Sequence, residues 1–114
     1  GFDNNYQEFK KLGINEIYCI SVNDSFVMNA WCEYQNVKNI KMIPDGNAQF
    51  TEKMGMLVNK GDKGFGKRSW RYAMIVNDCI IEKLFEEEGK ADNLENDPYE
   101  ASSPENLLKF LKNN

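Results

Sequence analysis

Histidine is absent from this 114-residue chain, and only two of its fourteen basic residues are arginine. Without an imidazole, no Ser-His-Asp triad, Cys-His dyad or histidine-bearing zinc site can be assembled. Cysteine is scarce too. The three present have no regular spacing, and no charged-then-apolar leader opens the sequence given. They therefore read as free thiols in a reducing compartment, the cytoplasm, rather than as a disulfide framework. No apolar run approaches the ~18 residues that a membrane span requires, so no membrane role is expected. Positive charge is not in excess either: a net charge of -4 argues against a nucleic-acid footprint. Glu86-Glu87-Glu88 and the acids from Glu95 to Glu100 read as an acidic, solvated surface. The length allows one compact domain over residues 1–114 and no second. Gly1 leads in place of methionine, so the chain reads as processed, truncated or a fragment, with anything upstream out of view.

What is present alternates between helix and strand patterns. Tyr6, Phe9 and the stretch to Leu12 read as the last turns of an amphipathic helix, stopped by Gly13. Ile17 to Val22 is nearly continuously apolar and rich in β-branched residues, as expected of a strand buried on both faces. Asn23, Asp24 or Ser25 caps a second helix through Phe26, Met28, Ala30 and Trp31. Ile40 to Ile43 predicts a second strand, closed by the turn Pro44-Asp45-Gly46-Asn47. Ala48 to Met54 reads as a short helix with Phe50 and Met54 on one face, ended by Gly55. Trp70 to Val76 and Cys79 to Phe85 form a hairpin around Asn77-Asp78. Ser102-x-x-Glu105 is a capping box with Pro104 inside it, and Leu107, Leu108, Phe110 and Leu111 give the stripe of a terminal helix. The order is α/β, a mixed sheet flanked by helices. A thioredoxin-like architecture fits it best, with one strand expected before Gly1.

Both arginines lie in the run Gly64-Phe65-Gly66-Lys67-Arg68-Ser69-Trp70-Arg71-Tyr72. Lysine would serve solubility equally well, so the planar, five-donor fork of arginine marks the run as a candidate oxyanion binder. Gly61 to Lys67 also matches the first seven positions of a Walker-type phosphate loop. Arg68 stands where a serine or threonine should hold magnesium, and a strand pattern follows where a helix should, so nucleotide binding is set aside. Arg71 opens a hairpin strand and shares a face with Ala73 and Ile75. It snorkels to water, joins an ion pair or aims at an anion in a cleft, and the residues alone leave these open. Cys19, Cys32 and Cys79 read as small hydrophobes. None follows a helix start that would lower its thiol pKa.

Taken in order, Cys19-Ile20-Ser21-Val22-Asn23-Asp24, Phe26-Val27-Met28-x-Ala30-Trp31, Pro44-Asp45-Gly46-Asn47, Phe50-Thr51, Met54-Gly55-Met56 and Gly64-x-Gly66-x-Arg68-Ser69-x-Arg71-Tyr72 closely resemble the peroxiredoxins. The nearest branch is the peroxiredoxin-five group, with its plant type II enzymes and bacterial forms fused to glutaredoxin. The likeness runs from Gly1 to about Phe85 and is weaker in the terminal helix. It implies a thioredoxin fold and a thiol peroxidase that reduces hydrogen peroxide and alkyl hydroperoxides in antioxidant defence and redox homeostasis. In that family a cysteine at the first turn of a helix, preceded by a proline and a threonine, attacks the peroxide. It becomes a sulfenic acid and is returned by a thiol donor. Gly1-Phe2 resembles the end of the family's Pro-Gly-Tyr/Phe stretch, which puts that cysteine upstream of this chain.

On the same resemblance, Arg71 falls on the family's active-site arginine, whose guanidinium lowers the thiolate pKa and stabilises the peroxide oxygens. Cys19 corresponds to the resolving cysteine of the plant type II enzymes. The alternative is a one-cysteine cycle in which glutaredoxin, glutathione or thioredoxin attacks the sulfenic acid directly. Phe26, Trp31, Phe65 and Arg68 lie in segments that approach the dimer contact of this branch, so a homodimer is implied. No cofactor or metal ion is called for. A reading from another class stays open: a truncated, non-catalytic thioredoxin-fold module that binds a partner through the surface left bare by the absent strand.

Overall fold

Asp24 and Ser103 cap the two longest helices with side-chain oxygens. A computed structural model describes residues 1–95 and 97–113. Helix α1, Tyr6–Lys11, runs into Gly13 at φ +95, a left-handed conformation that favours glycine, and the Ile14 N–H returns to the Phe9 carbonyl at 3.1 Å. Strand β1, Tyr18–Ser21, pairs in parallel with β2, Lys41–Pro44, in the register Cys19 with Met42. Helix α2, Ser25–Tyr34, makes the crossover between them. Of the three candidate caps Asp24 does the work, its carboxylate accepting the Val27 N–H at 2.8 Å. After β2, the Asp45 carboxylate accepts the Thr51 hydroxyl at 2.7 Å and the N–H groups of Thr51 and Phe50. It thereby pins the short helix α3, Gln49–Lys53. The Thr51 hydroxyl, aided by those N–H groups, holds the Asp45 carboxyl below the usual carboxylate range.

Residues 60–66, with their three glycines, link a small antiparallel pair, β3 (Leu57–Asn59) with β4 (Lys67–Ser69), that no pattern in the sequence announces. Three residues on each side are too few for a period of two to stand out. Strands β5, Tyr72–Asn77, and β6, Ile80–Glu86, form the expected hairpin. Its turn lies one place later than expected, because Asp78 at φ 52 and Cys79 at φ 65 supply the two left-handed positions of a type I′ turn. Helix α4, Pro104–Lys112, is capped by Ser103, whose hydroxyl accepts the Asn106 N–H at 3.2 Å. The expected cap, Ser102, is occupied elsewhere, donating its hydroxyl to Glu87 at 2.6 Å.

Parallel and antiparallel pairing are both present, in three two-stranded ladders among the described residues. The chain changes ladders within two residues. The Trp70 N–H donates to the Met56 carbonyl at 2.6 Å, on the β3 side, while the Arg71 carbonyl accepts the Glu87 N–H at 3.3 Å, on the β6 side. The main core lies where α1 and α4 cover the hairpin, with Phe9, Ile75, Phe85, Leu107 and Leu108 buried together. A smaller cluster joins Met56, Val58 and Trp70. Strand β1 departs from expectation: Tyr18 is 54% exposed and Cys19, Ile20 and Ser21 are half-buried. Among the described residues β2 is its one ladder partner. In α3 the buried residue is Thr51, whereas Phe50 is exposed, because the bond to Asp45 turns the threonine inward. Among the described residues no helix is long and apolar enough to cross a membrane.

Candidate functional site

Arg71 occupies the point at which the backbone passes from one ladder to the next, so hydrogen bonds to two different strands fix the main chain around it. Its side chain is half-buried. One Nη donates to Asp97 Oδ2 at 2.5 Å, and the guanidinium carbon lies 4.6 Å from the centre of the Tyr99 ring. Partial burial raises the Tyr99 phenol above its ordinary value, with the Arg71 charge opposing. A guanidinium stacked on an aromatic face and meeting a carboxylate oxygen is a seat for an oxyanion, with planarity, charge and several directed donors in one place. Of the three outcomes left open for Arg71, the structure has the ion pair. Neither Asp97 nor Tyr99 stands out in the sequence, since both lie in an acidic loop without periodicity.

The loop that carries them is fastened by Glu87. This residue is only 3% exposed, against the expectation that the run Glu86-Glu87-Glu88 is solvated surface. Its carboxylate accepts the backbone N–H groups of Glu100, Ala101 and Ser102, and the Ser102 hydroxyl. Burial works to raise its pKa, but the Ser102 hydroxyl and the three N–H groups outweigh it and hold the carboxyl below the usual range. The main chain of Glu87 is engaged as well, its carbonyl accepting the Trp70 indole N–H at 2.8 Å. A signal for this was present in the sequence: continuing the alternation of β6 from buried Phe85 turns Glu87 inward.

Arg68 does not join Arg71 in a common site. Its Nη1 donates to the Val22 carbonyl and to Asn23 Oδ1, and its Nε donates to the Phe65 carbonyl at 3.0 Å. Neutral oxygens thus occupy Nε and Nη1 and splice the β1–α2 turn to the glycine loop. The oxyanion reading narrows to Arg71 alone. Cys19 lies on β1, and burial pushes its thiol up, away from the thiolate. Cys32 donates to the Val37 carbonyl at 3.4 Å, and Cys79 is exposed at the hairpin tip. All three are free thiols. The described partners of Arg71 are Asp97 and Tyr99, and Cys19 is not among them. Among the described residues no group of three Cys, Asp or Glu side chains could hold a metal ion.

The Redoxin family matches residues 2–102. A peroxiredoxin of Rhizobium etli is 60% identical over 111 residues, which cover 97% of this chain and 62% of that protein. The hybrid peroxiredoxin of Haemophilus influenzae is 53% identical over 103 residues, covering 90% of this chain and 41% of that one. The chain thus spans less than two thirds of the length of these relatives. Among solved structures, the Plasmodium falciparum antioxidant protein, a 1-Cys peroxiredoxin, superposes with a TM-score of 0.96 at 42% identity, covering 100% of this chain and 67% of that one. The fold is therefore thioredoxin-like, and its α/β elements are those of these neighbours. With a family match over most of its length and this structural relative covered to two thirds, the chain belongs to the peroxiredoxins.

Proposed function

We propose that this chain is the arginine-bearing part of a thiol peroxidase that reduces hydrogen peroxide and alkyl hydroperoxides. The observation that carries the reading is the seat at Arg71, where a stacked guanidinium already holds a carboxylate oxygen. In the reaction, a peroxidatic cysteine outside this chain presents its thiolate to the same cation. Sulfur attacks one peroxide oxygen, an S–O bond forms as the O–O bond breaks, and the other oxygen leaves as water or an alcohol after taking a proton. Arg71 lowers the thiolate pKa and stabilises the charge spreading over both oxygens, acting as an electrostatic catalyst.

The sulfenic acid is then attacked by a thiol, an S–S bond forms and water leaves. A half-buried Cys19 with a raised thiol pKa is a slow resolver, reached only by local opening of β1. An external donor such as glutaredoxin, glutathione or thioredoxin suits the geometry better. Exposed Phe26, Trp31 and Phe65 support a homodimer, and three free thiols support a cytoplasmic setting. Replacing Arg71→Lys in the full-length protein is expected to slow peroxide reduction ~100-fold or more, since lysine keeps charge but loses the fork. Stopped-flow kinetics with hydrogen peroxide checks this. An unchanged rate would end the role of Arg71 as electrostatic catalyst, and an unsubstituted full-length protein that reduces no peroxide would leave the non-catalytic interaction module in place of the peroxidase.

A further inference from the structure

Glu87 touches nothing that reacts, yet it fastens both the backbone beside Arg71 and the loop that carries Asp97 and Tyr99. Its two carboxylate oxygens hold the turn at residues 100–102 by three N–H groups and one hydroxyl. That turn directly follows Tyr99, on whose ring the guanidinium stacks, and Asp97, whose carboxylate the guanidinium meets. The Glu87 main chain binds the Arg71 carbonyl on one side and the Trp70 indole on the other. A buried charge with its hydrogen-bonding capacity filled is a rigid fastening, because every displacement leaves a charged oxygen short of donors. The partners fastened here are the platform and the backbone of one arginine.

We propose that Glu87 is a positioning residue for Arg71, acting through the 97–102 loop and the Tyr99 ring; this rests on the peroxidase reading above. In Glu87→Gln, one acceptor oxygen becomes an NH2 group facing the N–H donors, so the turn loosens and the ring no longer holds the guanidinium in place. The full-length protein is compared with its Glu87→Gln, Tyr99→Ala and doubly substituted forms. Two quantities are measured: the second-order rate with hydrogen peroxide per folded molecule, and the Arg71 Nε–Hε resonance in NMR spectra. Each single variant is expected to slow the reaction about tenfold and to move the resonance toward that of free arginine. The double variant is expected to be no slower than Tyr99→Ala, because both act on one contact. Asp24→Ala, which removes the α2 cap, should lower the melting temperature while leaving rate and resonance in place.

An unmoved Arg71 resonance in folded Glu87→Gln overturns the proposal. So does a shifted resonance with an unchanged rate, or rate losses that multiply in the double variant. If Glu87→Gln does not fold, Ser102→Ala, which deletes one of the four donor groups, decides by the same two readings in the same direction. If the unsubstituted protein reduces no peroxide, the peroxidase reading falls by itself, and the resonance still decides whether Glu87 holds Arg71.

Discussion

Phe85 and Phe26 both sit in regular elements of similar length, yet the first is 9% exposed beneath α4 and the second 84% exposed on α2. The same division runs through the molecule. On the hairpin side, α1 and α4 close over β5 and β6, and Phe9, Leu107 and Leu108 fill the space between. On the other side, α2 covers the β1–β2 pair with Met28 alone buried from the helix, while Val27, Trp31 and Tyr34 face outward. Helix formation is equally sound in the two regions, since Asp24 caps α2 as Ser103 caps α4. What differs is cover, and cover rather than propensity decides how much stability an aromatic contributes.

The strongest way to break the contrast is to truncate one phenylalanine in each region. Phe85→Ala is expected to cost ~3–5 kcal/mol through lost burial and the cavity left behind, whereas Phe26→Ala should stay within ~0.5 kcal/mol. Urea titrations of the two variants check this, and equal losses would erase the distinction. Next in size is Glu87→Gln, expected to cost about 2 kcal/mol at neutral pH because the hydrogen bonds are made to a charge. The carboxyl sits below its ordinary pKa in the folded protein. Its contribution is therefore complete above the unfolded value and is lost as pH falls through the folded one. Melting curves from neutral to acidic pH should converge for the two proteins, the unsubstituted chain losing the greater part. The smallest effect sharpens the picture at the exposed end of the hairpin. Cys79 holds φ 65 where glycine is the usual second residue of such a turn, so Cys79→Gly should stabilise by ~0.5–1 kcal/mol in thermal unfolding.

Most of the element order was legible because caps and breakers are local: Asp24, Gly13, Gly55 and Pro104 each mark a boundary by their own chemistry. The one-residue errors have local causes too. Ser102 and Ser103 are both competent caps, and only the claim of Glu87 on the first decides between them. Burial was less legible. The apolar run at β1 reads as doubly covered, but cover comes from elements distant in sequence, and here Tyr18 is exposed and Cys19, Ile20 and Ser21 are half-buried. The candidate site was half legible. Arg71 stands out by residue type and by resemblance, and the structure gives it an anion partner. Asp97 and Tyr99 reach it from the acidic loop between β6 and α4, which no periodicity traces. Glu87 was hidden in a run of like charges, although counting by twos from Phe85 would have turned it inward.

The two tryptophans fall on opposite sides of this division. Trp70 is 3% exposed with its indole N–H held by the Glu87 carbonyl, and Trp31 is 48% exposed on α2. The protein thus carries a built-in pair of fluorophores, one dry and one wet. Trp70 should emit at shorter wavelength and resist acrylamide, reporting on the anchorage next to Arg71. Trp31 should emit at longer wavelength and be quenched freely, until something settles over α2 and shields it.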